Sequence, residues 1–232
     1  MKRVFTALSA FCLLLTISVA QAKDDKPNGK AGGNDASVDA VALAAQLASY
    51  GTEAESPEAL ALAAKLLADS KAQAKEQEKT TEGEAAGDVA KKEGDAAPEL
   101  DAAKLAAAAQ AMAKGRDAAT IAYVDKIAGD VSEGGRGRLE GPGIIDTRVL
   151  AHQVDVYTLN FKGGQIAAIR VSGDGDTDLD LYVYDERGNL IASDTDRSDE
   201  CVVAWTPRWT GPFIVRVKNL GGVYNRYRMI TN

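Results

Sequence analysis

Four aspartates recur at every second position through one loop: Asp174, Asp176, Asp178 and Asp180, with Gly173 and Gly175 permitting a tight backbone among them. Calcium takes roughly six to eight oxygen ligands, and carboxylates clustered in a glycine-containing loop can supply them. The spacing is not that of an EF-hand, because no Glu stands at the twelfth loop position. Asp194, Asp196 and Asp199 follow on the next loop and would join the set if the chain folded back. The competing reading is that these carboxylates are solvated or accept from neighbouring backbone amides. Calcium is therefore the candidate cofactor, and no other is implied.

Nucleophilic chemistry has less to build on. His152 is the sole histidine, which excludes the HExxH zinc pattern and multi-histidine metal sites. Ser172, Ser193 and Ser198 carry no nucleophile-elbow motif, and nothing singles out a carboxylate pair for glycoside hydrolysis. Gly134-Gly135-Arg136-Gly137 lacks the GK[ST] ending of a phosphate loop, so a hinge is the better reading. These observations point to a protein that is not an enzyme. Trp209, Tyr182, Tyr184 and Tyr224 form a candidate ligand-binding set, since exposed aromatic faces suit sugars or peptide chains. Trp209 lies in a Pro-Arg-Trp-Thr-Gly loop and either presents its ring or plugs an end of the fold.

The acidic loop opens onto a strand with strict alternation. Leu179, Leu181 and Val183 share one face; Asp178, Asp180, Tyr182 and Tyr184 share the other, the period of a half-buried strand. Glu186-Arg187-Gly188-Asn189 supplies turn residues, and Leu190-Ile191-Ala192 begins the return strand. Similar alternation recurs at 153–161 (Tyr157, Leu159, Phe161), 165–171 (Ala167, Ile169, Val171), 200–205 (Cys201, Val203, Trp205), 213–217 (Phe213, Val215, Val217) and 224–230 (Tyr227, Met229), with a short candidate at 136–140. Short strands at hairpin spacing with no helix between them predict an antiparallel, jelly-roll-like β-sandwich over 135–232.

The remainder has a different grammar. Residues 23–130 are Ala-rich, hold neither Trp nor Phe, and carry Tyr only at Tyr50 and Tyr123. A helical hairpin is predicted at 37–70. Ser37 caps its first helix, Leu43, Leu47 and Tyr50 line it, and Gly51 ends it; Ser56 and Pro57 start the second, with Leu60, Ala63, Ala64 and Leu67 in a stripe. A second hairpin is predicted at 98–130, with Leu105, Ala108, Ala109 and Met112 on one helix and Ile121, Val124, Ile127 and Ala128 on the next, Asp117 as a cap and Gly129 as a stop. Residues 23–36 and 71–97 are low in bulky apolar residues and read as a disordered start and a low-complexity linker. The fold class is thus α+β in separate segments.

The first 22 residues read as a secretory signal: Lys2 and Arg3, an apolar run from Val4 to Val19, then Ala20-Gln21-Ala22 ahead of Lys23. Cys12 follows bulky Phe11 inside that run, not at its end where a lipid-attachment cysteine belongs. Cleavage near Ala22 would take the net charge from −7 to −9 by removing two basic residues. That acidity argues against nucleic acid and anionic membrane surfaces, and no second apolar run is long enough to span a bilayer. Cys201 alone would remain, which rules out an internal disulfide and suggests a buried thiol, with an intermolecular bridge as the lesser reading.

Residues 150–232 resemble the bacterial pre-peptidase C-terminal domain, a β-sandwich appended to secreted proteases. The matching features are Asp155-Val156-Tyr157-Thr158-Leu159 with Gly163-Gly164, then Asp178 to Asp185 (DLDLYVYD) with Gly188-Asn189, then Thr210-Gly211-Pro212-Phe213 leading to Val215 and Val217, and Tyr227. The resemblance implies the sandwich fold, an exported setting and a ligand-binding role; some relatives bind calcium. An Ala-rich helical segment stands here where a peptidase domain would precede. The expectation is an exported, non-enzymatic protein, periplasmic or secreted, whose sandwich binds a polysaccharide, another polymer or a protein partner. The alternatives are a stabilising protein that docks partners through its helices, and a calcium-assisted hydrolase.

Overall fold

The computed structural model describes residues 35–84, 98–134 and 141–232. The signal segment, most of the 23–36 start, part of the 71–97 linker and the 136–140 strand candidate lie outside them.

Among the described residues four helices form two hairpins: α1 (Ala36–Glu53) with α2 (Pro57–Ser70), and α3 (Ala102–Ala113) with α4 (Ala118–Gly134). Ser56 caps α2 as its sequence requires, accepting from the Ala59 amide at 3.3 Å, with Pro57 at the first turn. Asp117 likewise caps α4, its Oδ1 accepting from the Ala119 and Thr120 amides, both at 3.0 Å. At α1 the cap is Asp35, not Ser37: its Oδ1 accepts from the Ser37 amide at 2.8 Å, so the helix starts two residues earlier than a Ser37 cap would set it. Gly51 does not end α1. It stays helical and buried, because Leu60 of α2 packs onto its bare Cα. Gly129 does not end α4 either, and Val131 continues the buried stripe after Val124 and Ile127.

The buried face of α1 is Val38, Val41, Ala44 and Ala48, while Leu43 and Tyr50 of the expected stripe are 49% and 60% exposed. Small residues let α1 approach α2 closely, and that packing outweighs burial of the larger side chains. On α3, Leu105 and Ala109 are buried as expected, but Ala106 and Ala113 take the places expected of Ala108 and Met112.

Among the described residues ten strands form two five-stranded sheets. In chain order they are β1 (Gln73–Ala74), β2 (Lys79–Glu82), β3 (Gly143–Val149), β4 (Val154–Phe161), β5 (Ala167–Ser172), β6 (Leu179–Tyr184), β7 (Leu190–Asp194), β8 (Glu200–Trp205), β9 (Gly211–Asn219) and β10 (Asn225–Thr231). The first sheet runs β1-β3-β10-β5-β8 and the second β2-β4-β9-β6-β7. Every pairing is antiparallel except β1 with β3. Leaving β1 and β2 aside, this is jelly-roll order, with successive strands crossing between sheets around the β6–β7 hairpin. Leu179, Leu181 and Val183 are fully buried between the sheets with Tyr157, Phe213, Val215, Val217 and Met229. Each such aliphatic side chain contributes about 1.5–3 kcal/mol by leaving water.

The segment at 71–84 departs from its reading as a linker. β1 and β2 add one edge strand to each sheet, and Lys79 on β2 fastens them together by donating to Asp155 Oδ2, Arg148 O and Thr147 Oγ1. The helices cover the outer face of the first sheet, where Ile144, Ala168, Ala204 and Ile230 join the helical apolar cluster. That cluster takes in no described residue of the second sheet.

Candidate functional site

The outer face of the second sheet is built by the residues that alternate with the core. Tyr182 and Tyr184 of β6 stack there with ring centroids 6.3 Å apart. Across the β6–β9 ladder Tyr182 faces Arg216 and Tyr184 faces Ile214, and Arg216 is held from the far edge by an ion pair with Glu82 of β2. The Tyr182 hydroxyl donates to Asp180 Oδ2 at 2.9 Å. Burial, reinforced by that carboxylate, pushes the Tyr182 phenol up to about 12. Burial also raises the Asp180 carboxyl, with Asp178 and Asp194 acting in the same direction and the Tyr182 bond and Lys218 against it.

The β6–β7 turn lies beside a cleft of about 280 Å³ lined by Asp185, Glu186, Arg187 and Trp209. Asp185 is spent on the turn itself. Its Oδ1 accepts from the amides of Arg187 and Asn189, its Oδ2 accepts from Asn189 Nδ2, and the carboxyl is held below its usual range by these bonds, the Asn189 side chain first. Trp209 is 42% exposed. Its ring stacks on Phe213 at 5.8 Å and 18°, and Phe213 meets Phe161 and Trp205 in an aromatic plug at this end of the sandwich. The Trp209 loop is held by two donors on the β4–β5 turn: Gly163 N to Thr210 Oγ1 at 2.9 Å and Gly164 N to Pro207 O at 2.8 Å. A Cβ at Gly163 would lie 2.7 Å from the Trp209 carbonyl carbon, so only glycine permits that approach.

The expected aromatic set thus divides. Tyr182 and Tyr184 are together, Trp209 belongs to the cleft, and Tyr224 sits elsewhere, its ring met by Arg148 at 5.6 Å and Arg226 at 5.7 Å. Glu186 and Arg187, read from sequence as turn residues only, line the cleft; nothing in their spacing links them to a tryptophan more than twenty positions on.

The aspartates do not gather. Among the described residues no three His, Cys, Asp or Glu side chains are grouped to hold a metal ion. Asp174 Oδ2 accepts from the Arg226 amide at 2.9 Å, Asp180 from Tyr182, Asp194 Oδ2 from the Val202 amide at 2.9 Å, and Asp199 from the Gly175 amide. Calcium at Asp174, Asp176, Asp178 and Asp180 therefore stays an expectation from the sequence; in this structure Asp174, Asp194 and Asp199 accept from backbone amides on different elements. His152 is exposed in the β3–β4 turn at φ 59, and its amide donates to Gly221 O at 3.2 Å. The Cys201 thiol is buried and donates to Leu179 O at 3.1 Å; burial, then the carboxylates around it, push its pKa up, so it is an inert thiol.

No protein-family profile matches the chain, and no curated protein matches it. Solved structures similar to it include the pre-peptidase C-terminal domain of a collagenase from Bacillus anthracis, at 17% identity and TM-score 0.33, over 42% of this chain and 100% of that one. Another is PliG of Aeromonas hydrophila, a periplasmic inhibitor of g-type lysozyme, at 12% identity and TM-score 0.31, over 39% of this chain and 84% of that one. A third is a carbohydrate-binding module of Cellvibrio mixtus lichenase 5A in complex with cellotriose, at 12% identity and TM-score 0.26, over 36% of this chain and 72% of that one. At these TM-scores nothing about function rests on the likenesses.

Proposed function

We propose that this chain is an exported, non-enzymatic binding protein whose β-sandwich contacts an extended polymer or a protein partner through the outer face of its second sheet. The observation that carries this is the asymmetry of the sandwich. The described helices pack on the first sheet, while the second displays the stacked Tyr182–Tyr184 pair, Ile214 and the anchored Arg216. Aromatic side chains with few rotatable bonds, next to a fixed guanidinium, are the groups that dominate binding surfaces. The test is co-sedimentation of the protein with peptidoglycan sacculi, chitin, cellulose and insoluble collagen. Retention on one of them, reduced tenfold or more in Tyr182→Ala/Tyr184→Ala with an unchanged melting temperature, supports the reading. Passage through all four, or full retention of the double variant, removes it.

One observation favours a second reading, docking through the helices. Leu43 and Tyr50 are exposed one helical turn to either side of half-buried Leu47 on α1. In that case retention would be lost in Leu43→Ser/Tyr50→Ser and kept in the tyrosine variant.

A further inference from the structure

We infer that the cleft between the β6–β7 turn and the Trp209 loop is a subsite for a neutral pyranose, one or two rings of an uncharged glycan. The inference rests on the binding reading above and names the ligand class of one end of that surface. Three features of the cleft lead to it.

The first is a rigid aromatic floor. One face of the Trp209 indole is backed by Phe213, and its loop is pinned by Gly163 and Gly164 to the neighbouring turn. A flat ring that is fixed before binding loses little entropy on contact. It suits the C–H face of a sugar ring, which is apolar on one side and polar around its rim.

The second is the chemistry of the rim. Glu186 and Arg187 stand next to each other on the turn and line the same cleft as Trp209. Gly211 leaves room for them: a Cβ there would lie 3.3 Å from Trp209 Cδ1 and 3.4 Å from Glu186 Oε1. Glu186 offers acceptors and Arg187 a fork of donors. Adjacent sugar hydroxyls both donate and accept, and so satisfy the two together.

The third is charge, which decides between ligand classes. A lysine or arginine side chain would gain from Trp209, Glu186 and the ionised Asp185 but meet Arg187; Asp185 is already spent on the turn amides and Asn189, so its pull on a cation is reduced. A carboxylate or sulfate would gain from Arg187 but meet Glu186 and the ionised Asp185, whose carboxyl stays ionised because the turn amides and Asn189 hold it so. A lining with opposite charges side by side penalises both kinds of ion and leaves an uncharged, hydroxyl-rich ligand as the best match. The volume, about 280 Å³, lies just below the roughly 300–1,000 Å³ of small-molecule sites, which fits one or two sugar rings and no more.

The experiment is calorimetric titration of the full-length protein with cellohexaose, laminarihexaose, chitohexaose and maltohexaose, at low and at high sodium chloride. Polygalacturonate and poly-lysine serve as charged comparisons. Binding of at least one neutral series is expected, weakened tenfold or more in Trp209→Ala, threefold or more in both Arg187→Ala and Glu186→Gln, and insensitive to salt because no net charge is neutralised. Trp209 touches the aromatic plug, so Trp209→Ala carries a folding cost of its own. The two turn variants are on the surface and keep the proposal testable if Trp209→Ala unfolds. Binding of only the charged polymers, no binding of any neutral series, or neutral binding unchanged in Arg187→Ala and Glu186→Gln overturns it. Neutral binding lost in Tyr182→Ala/Tyr184→Ala and unaffected by the cleft variants overturns the subsite alone and leaves the sheet-face reading standing.

Discussion

Lys79 Nζ lies 2.6 Å from Oδ2 of Asp155, a carboxylate only 1% exposed. The other oxygen of Asp155 accepts from Thr81 Oγ1 at 2.9 Å, and Tyr227 OH donates to Oδ2 at 2.9 Å. Strand β2 therefore brings the neutralising charge and one hydroxyl to a buried acid on β4, while β10 of the opposite sheet brings the second hydroxyl. Removing one partner of such a pair leaves an uncompensated buried charge. Lys79→Met should lower stability by about 3 kcal/mol, a fall of about 10 °C in melting temperature for a protein of this size. Adding Asp155→Asn should recover part of the loss, because a neutral amide does not need the ammonium. A Lys79→Met melting curve that overlays the parent would refute the assignment.

Two glycines within helices should respond with opposite signs to the same change. Gly51 of α1 and Gly129 of α4 both sit inside their helices, where alanine is intrinsically favoured by about 1 kcal/mol. At Gly129 an added Cβ meets nothing within 4 Å, so Gly129→Ala should stabilise by about that amount. At Gly51 it would lie 2.9 Å from Leu60 Cγ and 3.0 Å from the Leu60 amide nitrogen. Backbone cannot yield there without parting α1 from α2, and overpacking of this kind costs about 1–3 kcal/mol. Urea denaturation should therefore rank Gly129→Ala above the parent and Gly51→Ala below it; the reverse order would show that α1 and α2 are not in close contact.

How far the fold could be read from the sequence tracks where apolar pattern does the stabilising. Leu179, Leu181 and Val183 announce their strand because the core needs them at every second position. Strands β1 and β2, with sequences QA and KTTE, have no apolar side chain larger than alanine. They are edge strands held by backbone pairing and by Lys79, which leaves no hydrophobic trace. The buried face of α1 is masked in the sequence for a related reason. Leu43 and Tyr50 carry the larger hydrophobic signal, but the contact with α2 selects residues small enough for close approach. The cleft was the least legible part. Trp209 was a visible candidate, but Glu186 and Arg187 reach it only through the β6–β9 register, which no local spacing encodes.

Calcium should leave stability unchanged. A ligand bound only by the folded state raises stability with its concentration, and a calcium site at the aspartate loop would show this strongly. Asp174, Asp180, Asp194 and Asp199 instead accept from the Arg226 amide, Tyr182, the Val202 amide and the Gly175 amide. Melting temperatures in millimolar calcium and in excess chelator are expected to agree within about 1 °C, well under the several degrees that about 1 kcal/mol of linkage would give. A larger rise with calcium, abolished in Asp174→Asn, would support the metal reading.

Asp180 should make the protein less stable as pH rises through the acid range. Its carboxyl is 6% exposed and is raised above the ordinary value of 3.8, by burial first and by Asp178 and Asp194 after it, with the Tyr182 hydroxyl and Lys218 opposing. The folded state thus keeps this proton at pH values where the unfolded chain has released it. Its contribution is fully present below the unfolded value and is lost as pH climbs through the folded one. Asp180→Asn retains an acceptor for Tyr182 and carries no charge to desolvate. The variant and the parent should converge in stability near pH 3, and the variant should pull ahead as the pH climbs from the ordinary carboxylate value through the raised one, keeping its lead at pH 7. Other carboxylates with lowered pKa values, such as Asp185 and Asp117, destabilise both proteins equally on acidification and cancel in the difference. A stability difference that is constant from pH 3 to pH 7, or that favours the parent at pH 7, would mean that the attraction of Lys218 across the ladder outweighs the desolvation of Asp180.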